Sequence, residues 1–249
     1  MNERRIPFPR EHGAWAVLFA CLLLAWAHPW ARGWPAAVLA VLFCLAFAIQ
    51  EPLRALARGR AGGWGAWVLL YGALLVVGAT YLVLAHRMYV LLPAAGVGLV
   101  LTGADLQARR SRLHRSAVLR VAGIAALTLV LPGTLCLVHP QRADYAFVLW
   151  WLMIVQFLSR YAVVRARIAV RRGEGASHRA VLATQALLYL SAGALVLAGA
   201  APPWILVAIL PGTLLARVPR KETSLRRAGW AEVALLLWFV AAVLGAYHL

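Results

Sequence analysis

Apolar runs about as long as a membrane is thick recur along the whole chain, and this pattern constrains the fold most. Each run has roughly 20 residues, the length of helix that crosses the hydrocarbon core of a bilayer. The sequence predicts an all-α bundle of nine transmembrane helices in a single domain over residues 1–249, with residues 1–10 as a short basic tail. The predicted spans are Glu11–Trp30, Trp34–Gln50, Trp64–His86, Met88–Gln107, Ala117–Val138, Tyr145–Val164, Ala180–Ala200, Pro202–Arg217 and Gly229–His248.

The composition favours the same class of protein. The chain is 63% hydrophobic and 13% charged, with a mean hydropathy of +0.79, whereas about half of the residues in a soluble domain are apolar. A net charge of +17 would indicate nucleic-acid binding in a soluble protein, but the arginines here lie between apolar runs. We therefore expect no nucleic-acid partner. Cys21, Cys44 and Cys136 lack paired spacing and predict neither a disulfide nor a metal site.

The basic residues predict the orientation of the bundle. With nine spans, the N-terminus and four alternate loops share one side of the membrane. This side holds all of the 25 basic residues except Arg32, Arg87 and Arg142. Because Lys and Arg accumulate on cytoplasmic loops, we expect the N-terminus inside and the C-terminus outside. Such a multi-pass protein of the bacterial inner membrane would contact anionic phospholipid headgroups at its cytoplasmic face.

The first polar site is PREHGAW, residues 9–15, where the basic tail meets the first apolar run. That run is too short to span unless it includes Glu11 and His12. An ionisable pair at membrane depth is costly and indicates function, although both side chains could also reach back to the aqueous interface. Glu51, just after the second span, is another carboxylate that could transfer protons. An ion pair between Glu51 and Arg54 is the alternative interpretation.

The second polar site lies on the sixth span. Gln156 and Arg160 are one helical turn apart, and they lie deep enough to face the interior of the bundle. A guanidinium group is a planar fork suited to phosphate or carboxylate, and we expect Arg54 and Arg109 to approach Arg160 from neighbouring loops. Glu232 lies one turn inside the last span. We expect it to pair with an arginine from a cytoplasmic loop, because an unpaired carboxylate there would be costly.

Three motifs resemble the YwiC-like family of bacterial membrane proteins. They are PREHGAW, ARRSRLHRSAVLR at residues 108–120, and PRKETSLRRAGWAE at residues 219–232. The resemblance implies no particular activity. Members of the family are often linked by gene neighbourhood to nitrate and nitrite respiration, which implies a setting and not a mechanism.

A more distant resemblance is to the UbiA-type intramembrane prenyltransferases, which also have nine helices with polar loops after the second, fourth and sixth. Those enzymes hold magnesium on a prenyl diphosphate through two Asp-rich motifs. The equivalent positions here are QEPLRALARGR and SRYAVVRARIAVRRGE, and neither contains paired aspartates. We therefore predict no metal and no other cofactor, and the resemblance leaves enzymatic activity undecided.

Three interpretations of function stay open at this point. In the first, a UbiA-like bundle binds an anionic amphiphile, an isoprenoid phosphate or a quinone precursor, in a cytoplasm-facing cationic cavity. Glu11, His12 and Glu51 would then be the catalytic candidates, and Gln156, Arg160, Arg54, Arg109 and Glu232 would bind the ligand. The second is a non-catalytic transporter or an accessory factor for a nitrate or nitrite respiratory complex. The third is metal or haem handling by the outer-face histidines, His28, His86, His139 and His248. No particular protein partner is indicated.

Overall fold

The computed structural model describes residues 12–28, 33–59, 63–89, 91–110, 117–173, 178–216 and 225–248. These parts of the chain form helices and turns and contain no β-strand, so the prediction of an all-α protein is confirmed. A short 3₁₀ helix, Pro140–Arg142, precedes α8. The α-helices are α1 (His12–Ala27), α2 (Trp34–Ala48), α3 (Gln50–Ala57), α4 (Trp64–His86), α5 (Leu91–Arg110), α6 (Ala117–Thr128), α7 (Val130–Val138), α8 (Ala143–Arg171), α9 (His178–Leu197), α10 (Ile205–Ala216) and α11 (Leu225–His248).

Several of these helices can cross a membrane. In the described parts of the chain, five segments are long and apolar enough by length and composition: Trp34–Ala57, Trp64–His86, Pro140–Val170, His178–Leu197 and Gly229–Tyr247. Shorter apolar helices cover Gly13–Ala27, Leu91–Ala104, Gly123–Val138 and Ile205–Leu214. The helices mark the chain as a multi-pass membrane protein. The count of nine spans and their orientation stay predictions.

Helix α8 is longer than the span predicted from the sequence. The apolar run ends at Val164, but the helix continues to Arg171, so arginines assigned to a loop form about two further helical turns. The end of the apolar run was a poor guide because arginine is itself a good helix former. The second span also extends beyond its predicted end, since α2 and α3 together run from Trp34 to Ala57.

Two interruptions in the helices each lie three residues before a proline. Ile49 separates α2 from α3 ahead of Pro52, and Leu129 separates α6 from α7 ahead of Pro132. Proline has no N–H for the carbonyl four residues earlier, and its ring crowds that carbonyl, so the helix is disturbed at this point. Helix α10, by contrast, is continuous with Pro211 inside it.

The bundle is organised around α8 and α1. Helix α8 packs against α6, α7, α9 and α10, while α1 packs against α6, α7 and α11, and α10 packs against α11. Leu18, Leu131, Leu149 and Phe239 are among the buried side chains of the core. Within a membrane such packing gains mainly van der Waals contact, because lipid is as apolar as the core. The arrangement brings α8, α10 and α11 together, and polar side chains lie where they meet.

Candidate functional site

Arg160 on α8 and Glu232 on α11 form a bidentate ion pair. Arg160 Nε donates to Glu232 Oε2 at 2.7 Å, and Nη2 donates to Oε1 at 2.8 Å. Their side chains are only 11% and 18% exposed. A fork of two parallel charge-assisted bonds is the strongest arrangement that these groups can make. Removing either partner would leave the other charge poorly compensated in a mostly buried place.

Two further contacts complete an ion cluster, which we define as Arg160, Arg167, Glu232 and the Gly212 carbonyl. Arg160 Nη1 donates to the carbonyl oxygen of Gly212 on α10 at 2.7 Å. Arg167 Nη1 donates to Glu232 Oε1 at 3.0 Å. Residues 160 and 167 are two helical turns apart and share a face of α8. The ion cluster thus joins three helices and places two guanidinium groups around one carboxylate.

The Gln156 carboxamide lies beside the ion cluster and is almost fully buried, with 3% of the residue exposed. It makes no hydrogen bond within the parts of the chain that the structure describes. A carboxamide offers two N–H donors and an acceptor oxygen. A donor of this kind next to an arginine is a group that a ligand can bind.

Gly212 allows Arg160 of α8 to approach the backbone of α10 closely. A Cβ atom on residue 212 would lie 3.1 Å from Arg160 Nη1 and 3.9 Å from Gln156 Nε2. The missing side chain lets the guanidinium lie against the backbone of α10.

A chain of hydrogen bonds holds the neighbouring helices in register. Thr213 Oγ1 on α10 donates to Gln185 Oε1 on α9 at 3.0 Å, and Gln185 Nε2 donates to Ser159 Oγ on α8 at 2.7 Å. Ser159 adjoins Arg160, and Thr213 adjoins Gly212. The chain therefore fixes the backbone of both helices at the ion cluster.

The pairing expected for Glu232 is confirmed, but its arginines lie on a helix and not in a loop. Gln156 and Arg160 are brought together with it. Gly212 and Gln185 were missed by sequence reasoning. The Pro-Gly step inside an apolar run was a weak signal for Gly212, and a lone glutamine in an apolar helix was a weak signal for Gln185.

Three of the predicted residues cannot be compared with this cluster. Glu11 lies outside the described residues. His12 begins α1 and Arg109 lies near the end of α5, but their side chains are outside the described part of the structure. Their roles stay predictions.

Arg54 and Glu51 make local contacts on α3. Arg54 Nη2 donates to Gln50 Oε1 at 3.0 Å. Glu51 Oε1 accepts from Arg58 Nη2 at 3.4 Å, so the local ion pair of Glu51 is with Arg58, two turns on, instead of with Arg54. Helix α3 packs against α2, α4 and α5, whereas the ion cluster lies on α8, α10 and α11.

Two of the histidines that were predicted for the outer face contact tyrosines. His28 Nε2 lies 2.9 Å from Tyr145 Oη, and His86 Nε2 lies 3.3 Å from Tyr81 Oη. Across the described ranges, no group of three or more His, Cys, Asp or Glu residues could hold a metal ion. The structure therefore adds no ligand set to the metal interpretation.

The fold and the ion cluster define a helical multi-pass membrane protein with ionised side chains inside its bundle. A family model described as YwiC-like protein matches residues 8–135, just over half of the chain. The chain belongs to this YwiC-like family. The match includes PREHGAW and the motif at residues 108–120, and it ends before α8. Searches of curated proteins and of solved structures found no match, and these comparisons show no similarity to the UbiA-type enzymes.

Proposed function

We propose that this protein binds the anionic head of a membrane amphiphile, of isoprenoid or quinone-precursor type, beside the ion cluster. The observation that supports the proposal is the Gln156 carboxamide, which lies near Gly212 and Arg160 Nη1 and makes no hydrogen bond within the described residues. Arg160 uses three of its five N–H groups in the cluster. A phosphate or carboxylate oxygen that reached both side chains would accept charge-assisted hydrogen bonds from them.

The proposed binding needs no magnesium. In UbiA-type enzymes, paired aspartates hold the metal that screens a diphosphate, whereas this chain has arginines at the equivalent position of α8. Guanidinium groups can compensate the charge of a bound head directly. A reaction on the ligand would in addition need a proton-transfer group, for which Glu11, His12 and Glu51 stay the candidates.

We also propose where the site lies relative to the membrane. We place it on the cytoplasmic side of a nine-span, UbiA-like bundle in the bacterial inner membrane, because the basic residues accumulate on that side. The apolar chain of a bound amphiphile would extend from the ion cluster into the lipid.

Thermal unfolding of the purified protein tests this function. Farnesyl phosphate supplies the chain and the charge, and farnesol supplies the same chain without the charge. We expect farnesyl phosphate to raise the unfolding temperature in EDTA as much as in magnesium, and farnesol to have little effect. Stabilisation that requires magnesium would contradict the proposed chemistry. Absence of stabilisation would instead favour the transporter or accessory interpretation.

Replacing Gln156 tests the position of the head group. We expect Gln156→Leu to weaken farnesyl phosphate binding about ten- to a hundredfold, because a hydrogen bond to a charged group contributes roughly 1.5–3 kcal/mol. The variant should fold, since leucine removes a polar group from a buried position. Gln107→Leu, at an exposed position near the end of α5, is the matched control and should bind normally. Unchanged binding by Gln156→Leu would show that the head lies elsewhere.

A further inference from the structure

A second feature, between α1, α2 and α4, has no role in the proposed function. An apolar groove of about 350 Å³ lies between α1, α2 and α4. Its walls include Trp15 and Phe19 from α1, Ala40, Cys44 and Ala48 from α2, and Tyr71 from α4. It shares no residue with the ion cluster or with Gln156.

The groove follows the axis of α2. Ala40, Cys44 and Ala48 recur every four residues, so their small side chains form one stripe along the helix. At a rise of 1.5 Å per residue, this stripe is about 12 Å long. Opposite it, Trp15 stacks on Phe19 with ring centroids 5.6 Å apart. The groove is therefore an elongated space with a floor of small residues and an aromatic wall.

The groove opens to the surroundings of the bundle and ends near positive charge. Phe19 is 55% exposed, so the groove is open along its side. Ala48, at one end, lies directly before the interruption that leads into α3. Helix α3 has Arg54 and Arg58 against the single acid Glu51, so it adds net positive charge beyond that end.

We propose that this groove binds the hydrocarbon chain of a single-chain anionic amphiphile, whose head group lies at α3. Among the described residues that line the groove, none is charged, which suits a hydrocarbon occupant. The volume is near the lower end of small-molecule pockets and accommodates one chain. The arginines of α3 provide charge complementarity for a carboxylate or phosphate head at the chain's polar end. A two-chain phospholipid fits this space less well because its second chain would have to leave the groove.

Photo-crosslinking tests the site in the full-length protein. The protein is placed in phosphatidylcholine nanodiscs with palmitate that has a diazirine in its chain, and labelled residues are located by peptide mass spectrometry. We expect residues 15–22 and 40–48 to be labelled several-fold more than the exposed face of α9. Unlabelled palmitate should abolish this excess, and added phosphatidylcholine should not. Equal labelling of all lipid-exposed helices, or equal competition by phosphatidylcholine, would overturn the proposal.

Two substitutions separate groove binding from general lipid contact. Ala40→Phe fills the groove and should reduce its labelling to the level of α9. Ala183→Phe, at an exposed position of α9, is the matched control and should leave the labelling of the groove unchanged. Diazirine hexadecanol, which lacks the charge, should label the groove less than palmitate. Labelling that ignores Ala40→Phe, or that does not differ between the two probes, would contradict the assignment. If Ala40→Phe fails to fold, the competition by unlabelled palmitate and by phosphatidylcholine on the unsubstituted protein still decides the test.

Discussion

At the scale of single residues, the ion cluster depends on a side chain that is missing. Arg160 can reach the carbonyl of Gly212 because nothing projects from α10 at that position. The sequence identified Arg160 and Glu232 because ionisable groups in apolar runs are rare and costly. It could not identify Gly212 in the same way, since a glycine in an apolar helix has many uses and its neighbour on α8 is 52 residues away.

Replacing Gly212 by alanine tests this close approach. A Cβ atom 3.1 Å from Arg160 Nη1 requires the guanidinium, which Glu232 and the Gly212 carbonyl hold in place, to shift by a few tenths of an ångström, and overpacking of this kind costs about 1–3 kcal/mol. We expect Gly212→Ala to lower the free energy of unfolding by that amount in detergent.

Gly193 on α9 is the matched control for this substitution. A Cβ atom there would meet nothing within 4 Å. Alanine is preferred over glycine in a helix, so Gly193→Ala should stabilise the protein by about 0.5–1 kcal/mol. Equal effects of the two substitutions would show that the close approach at residue 212 does not matter.

At the scale of helices, the apolar runs located the segments well and their ends poorly. Hydropathy reports where lipid-compatible residues stop, whereas a helix ends where its backbone hydrogen bonds end. Helix α8 therefore continues through its arginines to Arg171. The interruption before Pro132 follows from the chemistry of proline and could have been anticipated. The hydrogen bond that another helix makes beside this interruption could not be anticipated: Trp150 Nε1 of α8 donates to Thr128 Oγ1 at 3.2 Å.

Replacing Thr128 by valine tests whether this bond holds the interruption in place. The substitution removes the acceptor of the Trp150 N–H; Thr128 is fully buried and Trp150 is half-buried. The net contribution of such a hydrogen bond is about 1 kcal/mol, so the free energy of unfolding should fall by about this amount.

Thr184→Val is the control for the effect of losing a hydroxyl group. Within the part of the chain that the structure describes, the Thr184 hydroxyl bonds only to carbonyls of its own helix, those of Ala180 and Val181. Its replacement should change the free energy of unfolding by no more than about 0.5 kcal/mol. If Thr128→Val were as mild, the bond to Trp150 would have no structural role.

At the scale of the whole molecule, the family match and the ion cluster fall in different parts of the chain. The match ends at residue 135, and the cluster is built from α8, α10 and α11. Helix α1, which carries part of PREHGAW, packs against both α7 and α11. The two parts therefore belong to one bundle. Composition predicted its class, but the contacts between distant helices needed the structure.

The central claim is that a nine-span bundle presents its ion cluster to the cytoplasm, and reporter fusions test this claim most directly. Alkaline phosphatase is active only outside the cytoplasm, and green fluorescent protein exported through the general secretory pathway does not fluoresce. For reporters fused after Arg172, at the end of α8, we expect fluorescence and no phosphatase activity. For reporters fused after Leu249, we expect phosphatase activity and no fluorescence. Phosphatase activity after Arg172, or fluorescence after Leu249, would contradict the nine-span topology and the location of the proposed site.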